Sequence, residues 1–153
     1  MLYAAETNDI STVRTLLADS ADVNACSQEG WTPLIMAAKE GHVELLHQLL
    51  EAGAQVDPPD ESHSALRGAA LFGREECLRS LLRAKADCNV ASKGGKTALM
   101  GCCMNGHATS AALLLEHRAD PTLVNEYGET ALDLATSRGH AACVELLNKV
   151  SGE

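Results

Sequence analysis

A fixed repeat length constrains this chain more than any other feature. The stretch "GWTPLIMAAKEGHVELLHQLLEAGAQVD" (residues 30 to 57) returns as "GKTALMGCCMNGHATSAALLLEHRADPT" (residues 95 to 122). Aligning all copies puts Met1, Leu34, Leu66, Leu99 and Leu132 in one slot, separated by 33, 32, 33 and 33 residues. A unit this short cannot bury its apolar face alone, so each must be covered by its neighbour, and the chain must stack. One domain over residues 1–153 follows, with units at approximately 1–24, 25–57, 58–89, 90–122 and 123–150.

Inside a unit, the apolar residues fall at helical spacing on both sides of a Gly-His break, as in Leu45, Leu46, Leu49 and Leu50 after Gly41-His42. Two short antiparallel helices result. Small residues recur at fixed places (Ala4 and Ala5, Ala37 and Ala38, Ala69 and Ala70, Ala135), where two backbones must approach closely. Cys102 and Cys103 hold those slots in the fourth unit, and Cys77 and Cys143 hold a core slot of the second helix, so packing accounts for all four. Gly41, Gly73, Gly106 and Gly139 mark the turn between helices, with Asn8 in the first unit. Thr32, Ser64, Thr97 and Thr130 stand two residues before the anchoring leucine, where a hydroxyl caps a helix, and Pro33 fits the first turn.

These residues resemble the ankyrin repeat, whose signature is a 33-residue period carrying T-P-L-H-x-A. The resemblance covers essentially the whole chain. It implies an all-α repeat solenoid: an ankyrin-repeat stack of antiparallel helix pairs, with β-hairpin finger loops projecting from one edge and a concave groove used for protein recognition. This chain departs from the pattern in places. The His after "TPL" is replaced by Ile35, Arg67, Met100 and Asp133, which puts its usual hydrogen bonds between repeats in doubt. The third unit is one residue short within "DPPDESHS", and Pro58 and Pro59 cannot donate backbone hydrogen bonds, so an irregular finger is expected there. The terminal units are expected to act as end caps, or to lie at cuts in a longer array.

Positions that differ between copies carry the specificity. The resemblance places the concave surface at the finger tips and at the two residues before each interhelical Gly. Leu71 and Phe72 fill slots that polar residues ordinarily occupy, Met104 follows one repeat on, and Trp31 and Tyr127 sit on fingers. Large apolar groups at exposed positions mark contact sites, and aromatics make good anchors. Lys93 and Lys96 rim this patch, with Glu29, Glu126 and Glu129 on neighbouring fingers; Lys39 and Arg138 belong to the same surface. A protein or peptide with an apolar centre and mixed charges is the expected ligand. An enzyme regulator of the kinase-inhibitor kind, or a segment of a larger scaffold, is the alternative. Asn24 in "ADVNA" and Asn89 in "ADCNV" resemble the context in which ankyrin asparagines are hydroxylated by an oxygen-sensing dioxygenase; holding the hairpin by backbone bonds is their structural role.

Other chemistries find little support in the sequence. A net charge of -9 opposes a phosphate backbone, although residues 67 to 96 concentrate seven of the twelve bases against three acids. No apolar run approaches the length of a membrane span, which is about 18 residues or more. The six cysteines form no CxxC pair and the start "MLYAAETND" has no signal-peptide pattern, so a reducing cytoplasmic or nuclear setting and a monomer are expected. Cys103 and His107 lie four apart, but His107 shares its slot with His42 and His140, and a zinc site wants four ligands. "SKGGKT" lacks the first Gly of a phosphate loop and falls on a finger. No nucleophile elbow or paired-carboxylate site appears, so neither enzyme activity nor a metal or other cofactor is expected.

Overall fold

The computed structural model describes residues 1–57 and 63–152. Among them ten helices alternate with short loops: α1 (Leu2–Glu6), α2 (Ile10–Ala18), α3 (Pro33–Glu40), α4 (Val43–Glu51), α5 (Ala65–Leu71), α6 (Glu75–Arg83), α7 (Ala98–Asn105), α8 (Ala108–Glu116), α9 (Ala131–Ser137) and α10 (Ala141–Ser151). The odd-numbered helices pack on one another in series, α1 on α3, α3 on α5, α5 on α7 and α7 on α9. The even-numbered helices from α4 to α10 do the same in a second layer. The core lies between the layers, where Leu45, Leu46, Leu49, Leu78, Leu81 and Leu114 are sealed from solvent. Ala37, Ala69, Cys102 and Ala135 are sealed too, at the same position of the second to fifth repeats, and Ala4 holds it, buried, in the first. The all-α stack of helix pairs read from the period is the fold.

The hydroxyl caps form as the spacing predicts. Thr32, Ser64, Thr97 and Thr130 accept from the backbone N–H groups of Ile35, Arg67, Met100 and Asp133 at 3.1 to 3.3 Å. Asp133 completes a capping box by accepting from the Thr130 backbone N–H at 2.8 Å. At the other end, Gly41 ends α3 with φ 87° and Asn8 takes the same left-handed turn with φ 57°.

The bonds between repeats, in doubt without the motif histidine, are made by other residues. A helix leaves its last carbonyls without partners, and here one from each of α1, α3, α5 and α7 is reached by the next repeat. The Glu6 carbonyl accepts from His42 Nε2 at 2.8 Å, that of Lys39 from Arg74 Nε at 3.1 Å, and that of Met104 from His140 Nε2 at 3.1 Å. For Leu71 the donor is Asn105 Nδ2 at 2.7 Å.

The fingers are tight turns rather than long hairpins. Ser27 N–H donates to the Trp31 carbonyl (3.0 Å), Ser92 N–H to that of Lys96 (2.9 Å) and Asn125 N–H to that of Glu129 (3.0 Å). Ser92 and Lys96 exchange both backbone bonds. Glu126 N–H donates to the Gly94 carbonyl at 3.0 Å, tying two fingers together. The irregular finger expected at "DPPDESHS" falls largely on residues 58–62, which lie outside the described residues.

Candidate functional site

The variable residues divide into two groups along the inner layer. In the first, the Trp31 ring stacks on His63 with centroids 3.7 Å apart and planes 17° from parallel. These two residues each precede a capping hydroxyl, so the same place in consecutive repeats carries both rings. Trp31 Nε1 donates to Glu29 Oε2 at 3.2 Å. Lys39 Nζ stands 5.9 Å from the Trp31 ring centre and 5.7 Å from that of Phe72, a cation between two π faces. The ammonium also donates to Glu40 Oε1 at 2.8 Å, and this bond holds the Glu40 carboxyl below its usual range. Trp31 is half-buried against the core, whereas Phe72 keeps 45% of its surface in solvent. Glu29, Trp31 and Lys93 border one shallow hollow with His63.

The second group forms a cleft of about 210 Å³ between α5, α7, α9 and the last two fingers. Lys96, Met104, Tyr127 and Arg138 line it, so four of the residues singled out from the sequence converge there. Tyr127 is 75% exposed and its backbone N–H is pinned by Asn125 Oδ1 at 2.9 Å. Asn125 is buried and also donates to Glu129 Oε2 at 2.8 Å, fixing the carboxylate at the cleft's edge. Leu71 is half-buried behind Gly101. The structure thus places Leu71 between the two groups and in neither.

The sequence reading missed Arg67, noted only as a replacement for the motif histidine. Its side chain reaches into the cleft, and its Nε is buried without a hydrogen-bond partner. Burial pushes the guanidinium pKa down from its ordinary value. The available signal was a charge in the slot that Ile35 and Met100 fill as sealed apolar residues.

Asn24 and Asn89 each clamp the following repeat. Asn24 Oδ1 accepts from Gln55 N–H at 2.8 Å and its amide donates to the Gly53 carbonyl at 3.5 Å. Asn89 Oδ1 accepts from Asp120 N–H at 2.8 Å and its amide donates to the Arg118 carbonyl at 3.3 Å. Asp57 holds the intervening place and accepts from Asp87 N–H through Oδ2 at 2.9 Å, while its Oδ1 is buried without a partner.

Cys77, Cys88, Cys102, Cys103 and Cys143 are buried and Cys26 is exposed. Burial pushes the Cys103 thiol up to about 12 and that of Cys77 up to about 11, which disfavours the thiolate a metal needs. Among the described residues no group of three or more His, Cys, Asp or Glu could hold a metal ion, and no helix is long and apolar enough to cross a membrane.

Serial helix pairs with projecting turns, and a lined surface along the inner layer, define a helical repeat solenoid. A family model for ankyrin repeats (three copies) matches residues 1–92 and again 66–152. The chain belongs to the ankyrin-repeat family. It is 38% identical over 95 residues to Ankyrin repeat, SAM and basic leucine zipper domain-containing protein 1 of Loxodonta africana, an alignment covering 59% of this chain and 20% of that protein. To Ankyrin repeat and SAM domain-containing protein 6 of Mus musculus it is 37% identical over 101 residues, 64% of this chain and 11% of that protein. The match therefore spans a fifth or less of these relatives' length.

Proposed function

We propose that this protein is a monomeric, non-enzymatic recognition module that binds a protein or peptide along its inner helices and finger tips. One observation carries the reading: Phe72, Met104 and Tyr127 hold large apolar groups at or near the surface of consecutive repeats, at places where packing does not call for them. Membership of the ankyrin-repeat family, whose repeats generally mediate protein–protein interaction, supports it. Phe72 and Tyr127 are the anchors. Lys39, Lys93, Lys96, Arg138 and Glu29 orient the ligand, and the half-buried Trp31 contributes its exposed edge. A reducing cytoplasmic or nuclear compartment suits the six free thiols.

The test is affinity capture with the wild type beside a Phe72→Ala/Tyr127→Ala double variant. Exposed side chains are chosen because truncating Trp31 would also remove its stack on His63 and disturb the fold. Partners lost by the variant, with helical content and melting unchanged, are expected. An identical set of partners for both proteins would refute the anchors.

A further inference from the structure

The cleft beside Tyr127 carries chemistry that a general contact surface does not need. Arg67 brings a guanidinium whose Nε is buried and unpartnered, and none of the ion pairs among the described residues involves it. Arg67 is half-buried, and a cation partly withdrawn from water costs stability where no counter-charge offsets the lost hydration. Packing does not demand it: the same slot is Ile35 one repeat earlier and Met100 one repeat later, both sealed. Lys96 and Arg138 add two cations to the cleft's lining, and the Glu129 carboxylate there is already engaged by Asn125. This is a cationic spot on a chain of net charge -9.

Space has been left in front of it. Gly101 lies in the middle of α7 and lines the cleft, in a slot that holds Met36 and Leu134 in other repeats. A helix-interior glycine costs about 0.5–1 kcal/mol relative to alanine. Nothing steric requires it here, since an added Cβ would meet Leu71 backbone atoms at 3.4 and 3.5 Å, ordinary contact distances. Gly101 thus leaves the floor of the cleft open, and the cleft's volume of about 210 Å³ is below the roughly 300 Å³ at which small-molecule pockets begin. It suits one or two side chains.

We propose that this cleft receives an acidic side chain, Asp or Glu, of an extended peptide segment of the partner, with the carboxylate on Arg67 and an adjacent apolar residue against Met104 and Tyr127. The assignment rests on the peptide-binding reading above and specifies it. Charge complementarity sets the acid: Lys96 and Arg138 draw it in, and Arg67 offers a planar fork of donors. The methionines and the tyrosine ring supply the apolar wall beside it.

The test begins with selection of a random-peptide phage library on the full chain, followed by synthesis of the enriched peptide and its titration by fluorescence anisotropy. The enriched peptides should share one Asp or Glu next to an apolar residue. Exchanging that acid for its amide, or Arg67→Met in the protein, should weaken binding about thirtyfold or more, as removal of one member of a buried charge pair does. Met stands in the same slot one repeat on, so Arg67→Met should melt no lower than the wild type. Binding lost while stability holds is an outcome that a structural arginine could not give. Enriched peptides without a common acid, binding indifferent to Arg67→Met, or a marked fall in that variant's melting temperature would overturn the assignment while leaving peptide recognition standing. Tighter binding with phosphoserine in place of the acid overturns it as well. No enrichment of any peptide overturns the wider reading, and this assignment with it.

Discussion

Asp57→Asn should stabilise the protein. Asn24, Asp57 and Asn89 form one column, separated by 33 and 32 residues. Each accepts a backbone N–H from the next repeat at 2.8 or 2.9 Å. The two asparagines also donate, to the carbonyls of Gly53 and Arg118. Asp57 cannot donate when ionised. The residue in register with Gly53 and Arg118 is Lys85, which shares the left-handed turn (φ 65°). An amide at 57 would find the Lys85 carbonyl in that place, and the buried Oδ1 would no longer lack a partner.

One added hydrogen bond is worth about 0.5–1.5 kcal/mol, and relieving an unmet buried polar atom about 1–3 kcal/mol. Asp57 is only half-buried, so water reduces both and a gain of about 1–2 kcal/mol remains. At this chain length that raises the melting temperature by about 2–8 °C. Thermal and urea denaturation followed by circular dichroism measure it, with Asn89→Asp as the reverse exchange that should lose a comparable amount. The pH dependence has a fixed sign. Burial raises the Asp57 carboxyl pKa, so the folded chain holds the proton more tightly than the unfolded chain does. Its contribution is complete in acid, below the unfolded value, and is lost as pH rises through the folded one. The advantage of the amide should therefore be greatest at about pH 7 and shrink towards about pH 4. A variant that melts at or below the wild type at neutral pH, or whose advantage grows in acid, would refute the proposed clamp.

Two further outcomes are expected. Cys26 is the exposed thiol and the other five are buried, so a thiol reagent should label one cysteine in the native protein and the rest only in denaturant; rapid native labelling of a second thiol contradicts the packing. Asn24 and Asn89 are proposed sites of hydroxylation, and because their amides are tied to the following repeat, the modification requires local opening. Mass spectrometry of protein co-expressed with the dioxygenase should find an added oxygen, in a yield that rises in variants weakening the adjacent repeat. An unmodified Asn24 in the presence of active enzyme removes the proposal.

The period, the hydroxyl caps, the glycine turns and the burial of Cys77, Cys102, Cys103 and Cys143 were legible in the sequence, because each follows from local geometry repeated at one spacing. The links between repeats were less so. The carbonyl of Leu71 takes its bond from Asn105 rather than from His107, which shares its slot with His42 and His140, and no local rule specifies that exchange. The Trp31–His63 stack depends on where the third repeat loses its residue, since the loss must fall before His63 for the two rings to come into register. The convergence of Lys96, Met104, Tyr127 and Arg138 on one cleft needs the lateral offset between repeats, which a one-dimensional alignment does not contain. Arg67 was visible only as a broken motif.

Those breaks in the pattern gather in one part of the stack. The shortened unit, the aspartate in an asparagine column, the helix-interior glycines Gly68 and Gly101 and the unpartnered Arg67 all fall between residues 57 and 101. In a solenoid each repeat is held mainly by its neighbours, so departures in the middle can be carried by regular repeats on either side, while the same departures at an end would fray it. Natural sequences tend to violate local rules where function requires it. The third and fourth repeats are flanked on both sides by other repeats, packed through α3 and α9, and they also carry Phe72, Met104 and the floor of the cleft. The stability forgone at these positions and the exposed contact groups thus share one location, which a surface shaped by packing alone would have no reason to produce.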